Sequence, residues 1–253
     1  MPICLPSFAG TTAPASGGGL ANQYSVSFDG TDDYMSFGSN TFFNTSSAFS
    51  FSGWVKITNF SGNEYQTIAQ FKTDDSKGFQ LLASDNSAYA GLNIGSNTST
   101  SIMKARTSGD ISSTFLNWTH VAMTYNGSGA NTTSNYKVYI NGSAVSLTTT
   151  DNYANLLNVN SLGCGSGSAI GDAFGFYGLI DEVATFSTEL SASDITAIYN
   201  SGVPNDISAL SPVGWWRMGD NDSGTGTTIT DQGSGGNDGT LTNGPTFSTS
   251  VPS

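Results

Sequence analysis

The sequence predicts an all-β protein, a two-sheet antiparallel sandwich with one short helix after the last core strand. Three observations carry that reading. Short alternating runs separated by turn residues recur from Tyr24 to Ala184. Only 10% of the 253 residues are charged, and Gly, Ser, Thr and Asn provide the polarity instead. A single capped helical pattern occurs, and it follows the strands. The length accommodates one large sandwich, or a sandwich with an appendage. Aromatic residues make up 11% and sit inside the alternating runs, which argues against disorder.

Residues 1–23 are rich in Pro, Gly, Ser and Ala and read as a flexible arm unless a neighbour holds them. Ser25-Val26-Ser27-Phe28 opens the strands and Asp29-Gly30 turns the chain, with Tyr34–Phe37 following. In Phe49–Ile57, alternation gives one face Phe49, Phe51, Val55 and Ile57 and the other Trp54 among Ser50, Ser52 and Lys56. Further strands are predicted at Thr67–Lys72, Gly78–Ala83, Ala90–Ile94, Trp118–Tyr125, Tyr136–Ile140 and Phe176–Ala184, with a weaker one around Leu156–Leu162. Asn141-Gly142 after Tyr136–Ile140 is a type I′ hairpin signal.

Ser191 can cap the helix with Asp194 completing the box, and Leu190 can staple against Ile195. Gly202 is the expected C-cap and Pro204 prevents continuation. Residues 203–211 then read as a linker. Residues 212–253 hold Trp215-Trp216 and an acidic, Gly-rich stretch, with too few apolar residues for a core of their own. Adjacent residues of a strand face opposite ways, so each tryptophan needs a separate cover, from the sandwich or from a neighbouring subunit.

Lys and Arg total 7 against 19 Asp and Glu, a net charge of −12. Such a surface repels phosphate backbones and argues against nucleic-acid binding. No apolar run is long enough to span a membrane as a helix, so no membrane insertion is expected. Cys4 and Cys164 could form a disulfide or stay free; their spacing makes neither a redox motif nor a zinc cluster. The opening Met1–Pro6 lacks the basic and apolar regions of a signal peptide. That suits a protein released by lysis, as virion components are, or a chain whose export signal has been removed.

Several of these segments together resemble laminin-G-like, concanavalin A-like jelly-roll domains. They are Phe28-Asp29-Gly30 with Tyr34, Phe49–Lys56, Trp118–Tyr125, Tyr139-Ile140-Asn141-Gly142, and Gly178–Val183 followed by Leu190-Ser191 and the helix. The resemblance spans about residues 24–202. It implies a jelly roll serving as lectin, adhesion module, glycosidase or accessory module. The tail segments Trp216–Asp220 and Asp231–Leu241 resemble a stretch that in many such modules precedes the opening strand. Similar tails occur on laminin-G-like proteins of marine bacteriophages. The resemblance therefore implies a virion-surface structural, decoration, spike or fibre component, with other virion proteins and further copies of itself as partners. The alternative is an extracellular, calcium-dependent lectin or adhesion module that binds a surface glycan.

Catalysis is not expected. Glucan hydrolases of the fold resemble one another in a Glu-x-Asp-x-Glu strand, whereas this chain has only Glu64, Glu182 and Glu189 and no such strand. Asp181 and Glu182, adjacent in a strand, should point to opposite faces. His120, the sole histidine, lies within a strand with no Ser or Cys of recognisable context nearby, and reads as a hydrogen-bonded or half-exposed sheet residue. Calcium favours hard oxygens on loops, and Asp29, Asp32 and Asp33 cluster on a turn. Family members often hold a structural calcium between that turn and the final strand, where Asp181 stands; the alternative is that these carboxylates only shape turns. The tail residues Asp220, Asn221, Asp222, Asp231, Asn237 and Asp238 are a second, less regular candidate. For a glycan, aromatic and amide side chains on loops give Tyr89, Asn86, Tyr153, Asn152, Asp172 and Tyr177, each of which could instead be core or turn. Trp215 and Trp216 are the expected assembly residues.

Overall fold

The structure, a computed structural model, describes residues 20–37, 47–60, 65–74, 77–86, 90–98, 101–129, 132–149, 161–162 and 175–253. In chain order its elements are β1 (Ser25–Asp29), β2 (Tyr34–Ser36), β3 (Phe49–Ile57), β4 (Tyr65–Asp74), β5 (Lys77–Ser84) and β6 (Gly91–Thr98). There follow β7 (Ser101–Thr107), β8 (Thr119–Tyr125), β9 (Tyr136–Ile140), β10 (Ser143–Val145), β11 (Leu147–Thr149), β12 (Ser161–Leu162) and β13 (Tyr177–Phe186). The helix α1 (Ala192–Tyr199) comes next, then β14 (Gly214–Trp216), β15 (Thr228–Ile229), β16 (Gly239–Thr242) and β17 (Thr246–Ser248).

Two antiparallel sheets result, in the jelly-roll arrangement that the sequence predicts. The first runs β10-β9-β8-β3-β13-β1-β17, with β14 also on β13. The second runs β11-β7-β6-β5-β4-β12-β2-β16-β15. The alternation of β3 holds: Phe49, Phe51, Val55 and Ile57 enter the main core, where Phe49 and Tyr125 of the first sheet meet Phe79 of the second. The opposite face carries Trp54, stacked on Tyr199 of the helix with ring centroids 5.8 Å apart. Asn141 (φ 49°) and Gly142 (φ 74°) form the two-residue turn joining β9 to β10, because a type I′ turn needs both in the left-handed region.

The helix starts where its capping box predicts, with Ser191 and Asp194 bonding reciprocally. It ends earlier than expected. Asn200 (φ 43°) provides the left-handed cap, and Gly202 closes a following single turn. Leu190, Ile195 and Ile198 join Ala184, Phe186, Ile207 and Trp215 in a second, smaller core on the outer side of the first sheet.

Residues 212–253 are divided between the two sheets. β14 pairs with β13 through Val183↔Trp216, Ala184↔Trp215 and Thr185↔Gly214, and β17 pairs with β1. β16 pairs with β2 in the other sheet, and β15 pairs with β16. Trp216 is fully buried between the sheets, stacked on Phe37 at 4.7 Å, and its indole N–H donates to Asn237 O at 2.9 Å. Trp215 faces the second core, 6% exposed. Gly214 is required there, because a Cβ would lie 2.3 Å from the Trp216 ring. All four pairings are made within one chain.

Truncating a buried tryptophan to alanine costs about 3–5 kcal/mol. Trp216→Ala should therefore lower the stability read by urea unfolding by about that amount. A chain ending after Leu210 loses strands from both sheets and should not give a soluble folded domain. If it melts with the full chain and stays in solution, the tail is an appendage and these pairings do not matter to the fold.

Candidate functional site

Sheet alternation makes the least ordinary surface of the molecule. On β5, Phe79, Leu81 and Ala83 belong to the main core, as do Leu92 and Ile94 on β6 and Ala105 on β7. Their alternate neighbours face away from it. A bulge between Thr67 and Ala69 on β4 inserts Ile68 into the core and returns Gln70 to the outward set. Two cross-strand rows follow. Thr67, Leu82, Asn93, Arg106 and Thr148 are opposed in register across β4, β5, β6, β7 and β11. In the next row Gln70 stands opposite Gln80.

An outward sheet face is normally solvated, but this one is buried. Thr67, Gln70, Gln80, Leu82 and Asn93 are each no more than 2% exposed. Several of its polar atoms have no hydrogen-bond partner: both amide atoms of Gln70, Nε2 of Gln80, Oγ1 of Thr67 and Nε of Arg106. Each such group costs on the order of 1–3 kcal/mol in the folded state. The face is enclosed, and its unpaired groups are not open to a ligand from solvent. Nothing in it supplies a nucleophile or a general acid.

At the opening turn the ligand oxygens of Asp29, Asp32 and Asp33 lie within 4.8 Å of one another. Asp29 Oδ1 accepts from Thr31 N at 2.7 Å, and Asp33 Oδ2 accepts from Asp29 N at 3.0 Å. Burial pushes the Asp33 carboxyl above the usual range, and repulsion from Asp29 and Asp32 adds to it. Hard oxygens placed this way on a turn could hold a divalent cation. Asp181 is not among them. It lies four residues beyond Tyr177, the partner of Asp29, or ~13 Å along β13 at strand spacing.

Asp181 instead belongs to a buried ionic cluster. β13 is irregular between Asp181 and Ala184, and Glu182 adopts φ 44°. The expected opposition of the two side chains fails there, because the kink turns both carboxyls toward Asp220. Asn22 Nδ2 donates to Asp181 at 2.9 Å. Glu182 accepts from Arg217 Nε at 2.9 Å and from Trp215 Nε1 at 2.7 Å. Arg217 also bonds Asp220 at 2.8 Å and the carbonyl of Ala21. Burial raises Asp181 well above the usual range, and the neighbouring Glu182 raises it further. Burial raises Glu182 as well, against the pull of Arg217. Neither is exposed as a glycosidase carboxylate must be, and Glu189 is paired with Lys137 at 2.8 Å.

The tail carboxylates are occupied by backbone. Asp231 accepts from Trp215 N, Gly233 N and Asn237 N, Asp238 from Asp231 N, and Asp222 from Thr230. They fold the turns of the tail. Of the loop residues expected at a glycan site, Tyr89, Asn152, Tyr153 and Asp172 lie outside the described residues, as do Cys4 and Cys164. Asn86 is half-buried, its N–H on Ser84 Oγ at 3.1 Å, and Tyr177 is 37% exposed at the start of β13. His120 takes the hydrogen-bonded of the two states that its sequence reading gave, not the half-exposed one. It is fully buried, bonds Ser52 Oγ at 2.8 Å, and packs against Trp54 and Tyr199. Its Nδ1 has no partner, so no carboxylate orients a Ser–His pair.

Residues 29–196 match the family described as the concanavalin A-like lectin/glucanases superfamily. The chain belongs to that superfamily. No curated protein matches the sequence. Among solved structures with this superfamily fold, a candidate carbohydrate-binding protein from Bacteroides ovatus ATCC 8483 superposes with a TM-score of 0.59 at 16% identity. The match covers 92% of this chain and 62% of that one, so this chain spans under two thirds of its length. Domain 4 of an extracellular arabinanase from Geobacillus stearothermophilus, in complex with arabinotriose, gives 0.46 at 22% identity, covering 69% of this chain and 76% of that one. The heptameric SAP-like pentraxin of Limulus polyphemus gives 0.45 at 13%, covering 70% and 82%. Only the first exceeds 0.5, and at its identity it speaks for the fold alone.

Sequence reasoning found the strands that carry Gln70 and Gln80 but passed over those residues. Alternating polar positions read as a solvent face, and nothing local tells a buried polar face from an exposed one. β7 was not foreseen, because Lys104 and Arg106 break its apolar pattern.

Burial holds the His120 imidazole down to about 3. The unfolded chain takes up that proton below about pH 6.5 while the folded chain does not, so stability present above pH 6.5 is lost on acidification. The loss from this group is ~3 kcal/mol by pH 4. His120→Gln should flatten the denaturation profile between pH 6.5 and 4; parallel curves for variant and wild type would assign the acid limb to other groups.

Proposed function

We propose that this protein is a non-catalytic carbohydrate-binding module. The observation that carries the reading is the superfamily match over residues 29–196, on a sandwich where Asp181 and Glu182 are buried and Glu189 is paired with Lys137. The superfamily's lectin members and the candidate carbohydrate-binding protein of the same fold support the class. An extracellular location follows from it.

The same reading gives calcium to Asp29, Asp32 and Asp33, where the ion would relieve their mutual repulsion and stiffen the opening turn. A particle-surface role draws its support from the tail as an assembly element. Here the tail pairs within its own chain, so the binding-module reading has the better support.

Affinity electrophoresis of the full chain through gels holding a panel of polysaccharides should show retardation by at least one, and no retardation by any would remove the glycan reading. Gln70→Met with Gln80→Leu should leave the melting temperature unchanged or higher, because it removes unpaired buried amides. Millimolar calcium should raise the melting temperature over that in chelator, and Asp29→Asn with Asp33→Asn should abolish the difference. Equal melting of the wild type in both conditions would remove calcium from the account.

A further inference from the structure

We infer that Asn243 is a site of spontaneous covalent modification. Its amide is lost to the backbone nitrogen of Gly244, and the isoaspartate that results loosens the crossing of the tail from one sheet to the other.

Three Asn-Gly pairs occur in the sequence: Asn126-Gly127, Asn141-Gly142 and Asn243-Gly244. The chemistry open to each is the same. The glycine nitrogen, unshielded by a side chain, attacks Cγ of the asparagine. A C–N bond forms, and the side-chain amide leaves as ammonia, which carries off the proton of the glycine N–H. The product is a cyclic succinimide. Water then adds to one of its two carbonyls and opens the ring to aspartate or isoaspartate, with no change of oxidation state. The dipeptide does not choose among the three sites. The fold chooses, through what each amide must give up to reach the nitrogen behind it.

Asn126 is held at both amide atoms, Nδ2 donating to Asn135 Oδ1 at 3.3 Å and Oδ1 accepting from Ser128 N at 2.9 Å. Gly127 packs against backbone, since a Cβ there would lie 2.8 Å from Ala48 N. Asn141 Oδ1 accepts from the N–H of His120 at 3.0 Å, and His120 is fully buried. Turning that amide away would leave the N–H unpaired in the interior. The Tyr199 ring also covers Gly142, where a Cβ would approach it to 2.8 Å. Asn243 has neither restraint. It is exposed, and its Nδ2 donates to the carbonyl of Asp32 at 2.9 Å in surroundings where water can take its place. Space around Gly244 is open, the nearest atom to a Cβ there being Asp33 Oδ1 at 3.6 Å.

The consequence follows from where Asn243 stands. Residues 243–245 join β16 to β17 and so pass from the second sheet to the first. Residues 30–33 join β1 to β2 and pass between the same two sheets. The bond from Asn243 Nδ2 to Asp32 O ties these crossings together. Deamidation removes that donor and sets a carboxylate beside Asp32 and Asp33. In the isoaspartate it also adds a methylene to the main chain. β17, held on β1 through residues 246–248, then loses its anchor at the near end.

The test ages the full chain at mildly alkaline pH, in buffer and in concentrated urea, until the urea sample is half converted. Peptide mapping by mass spectrometry follows the amide-to-acid change at each of the three sites, and an isoaspartate-specific methyltransferase reports the isoaspartate. In the folded chain Asn243 should convert about fivefold faster than Asn126 or Asn141, roughly the factor that one net hydrogen bond is worth. In urea the three rates should converge. Hydrogen exchange of the aged folded chain should show protection lost at residues 246–248. Asn243→Asp should show part of that loss without ageing, because it removes the donor but not the normal length of the main chain. Asn243→Gly, which tolerates the left-handed backbone found there (φ 71°), should show no change on ageing. Conversion of Asn126 or Asn141 in the folded chain as fast as that of Asn243 overturns the site, as does an Asn243 that stays intact when folded. The same preference for Asn243 in urea assigns it to local sequence and overturns the selection by the fold. Unchanged exchange at residues 246–248 in a converted chain overturns the loosening.

Discussion

The pairing of Glu182 with Arg217 is the interaction on which the closing of this sandwich depends. β13 is the strand that most of the first sheet shares. Its inner edge is taken by β3, while its outer edge is divided between β1 at residues 177–180 and β14 at residues 183–185. The division falls at the kink where Glu182 adopts a left-handed backbone. A non-glycine residue in that region is strained and persists only where its surroundings over-determine it. Here they do: the Glu182 carboxylate takes Nε of Arg217 on one oxygen and the Trp215 indole on the other. Burying such an ion pair gains little against an apolar replacement, but removing one partner leaves a desolvated charge and costs about 3–5 kcal/mol. The pair thus fixes where the tail enters the sheet more than it adds net stability.

Everything distal to that entry follows from two adjacent tryptophans. Because β14 is extended, Trp216 goes between the sheets onto Phe37 while Trp215 goes outward beneath the helix, with Arg217 5.8 Å from its ring centroid. One short strand thereby joins the main core to the smaller one that holds α1. Arg217 extends the same network to Ala21, and Asp220 accepts from the N–H groups of Gln23 and Tyr24. The segment before β1 is therefore held by the tail. Two carboxylates, Glu182 and Asp220, share one guanidinium here, and Asp181 lies beside them. Burial raises Asp181, Glu182 and Asp220 alike, so the cluster favours retained protons, and its stability is lost as pH rises through those raised values. His120 acts in the opposite direction on the acid side.

Much of this architecture was legible because it is encoded locally. Alternation in Phe49–Ile57, the Asn141-Gly142 turn and the Ser191–Asp194 box each specify a conformation from a few neighbouring residues, and each is found. The pairing of the tryptophans with opposite faces was legible for the same reason, though the identity of their covers was not. The ionic cluster was illegible: Asn22, Asp181, Glu182, Arg217 and Asp220 lie far apart in sequence, and alternation at Asp181-Glu182 gave the wrong geometry because a bulge cannot be read from two residues. The C-cap was misplaced by two positions, since Asn also tolerates the left-handed region. Asp231 and its neighbours looked like metal ligands in composition, and only their three-dimensional partners identify them as turn formers.

The polar face raises the sharper question of why a sheet retains buried groups that nothing in the chain satisfies. The core side of the same strands shows that apolar residues are readily accommodated at neighbouring positions, as Leu81, Leu92 and Ile94 attest. Leu82, in the outward row itself, is fully buried as well. Aliphatic residues at 70 and 80 would then satisfy packing without the desolvation cost of an unpaired amide. Stability alone does not account for Gln there. Sequences that break a local rule without a structural return do so mainly at functional sites. The violation is concentrated where geometry is most rigid, in the middle strands of a sheet closed at one edge by β16 and β15. A flexible loop could rotate an unpaired amide toward water, whereas a residue locked between two strand neighbours cannot. That rigidity holds the unpaired donors and acceptors in place, and Arg106, between Asn93 and Thr148, belongs to the same row.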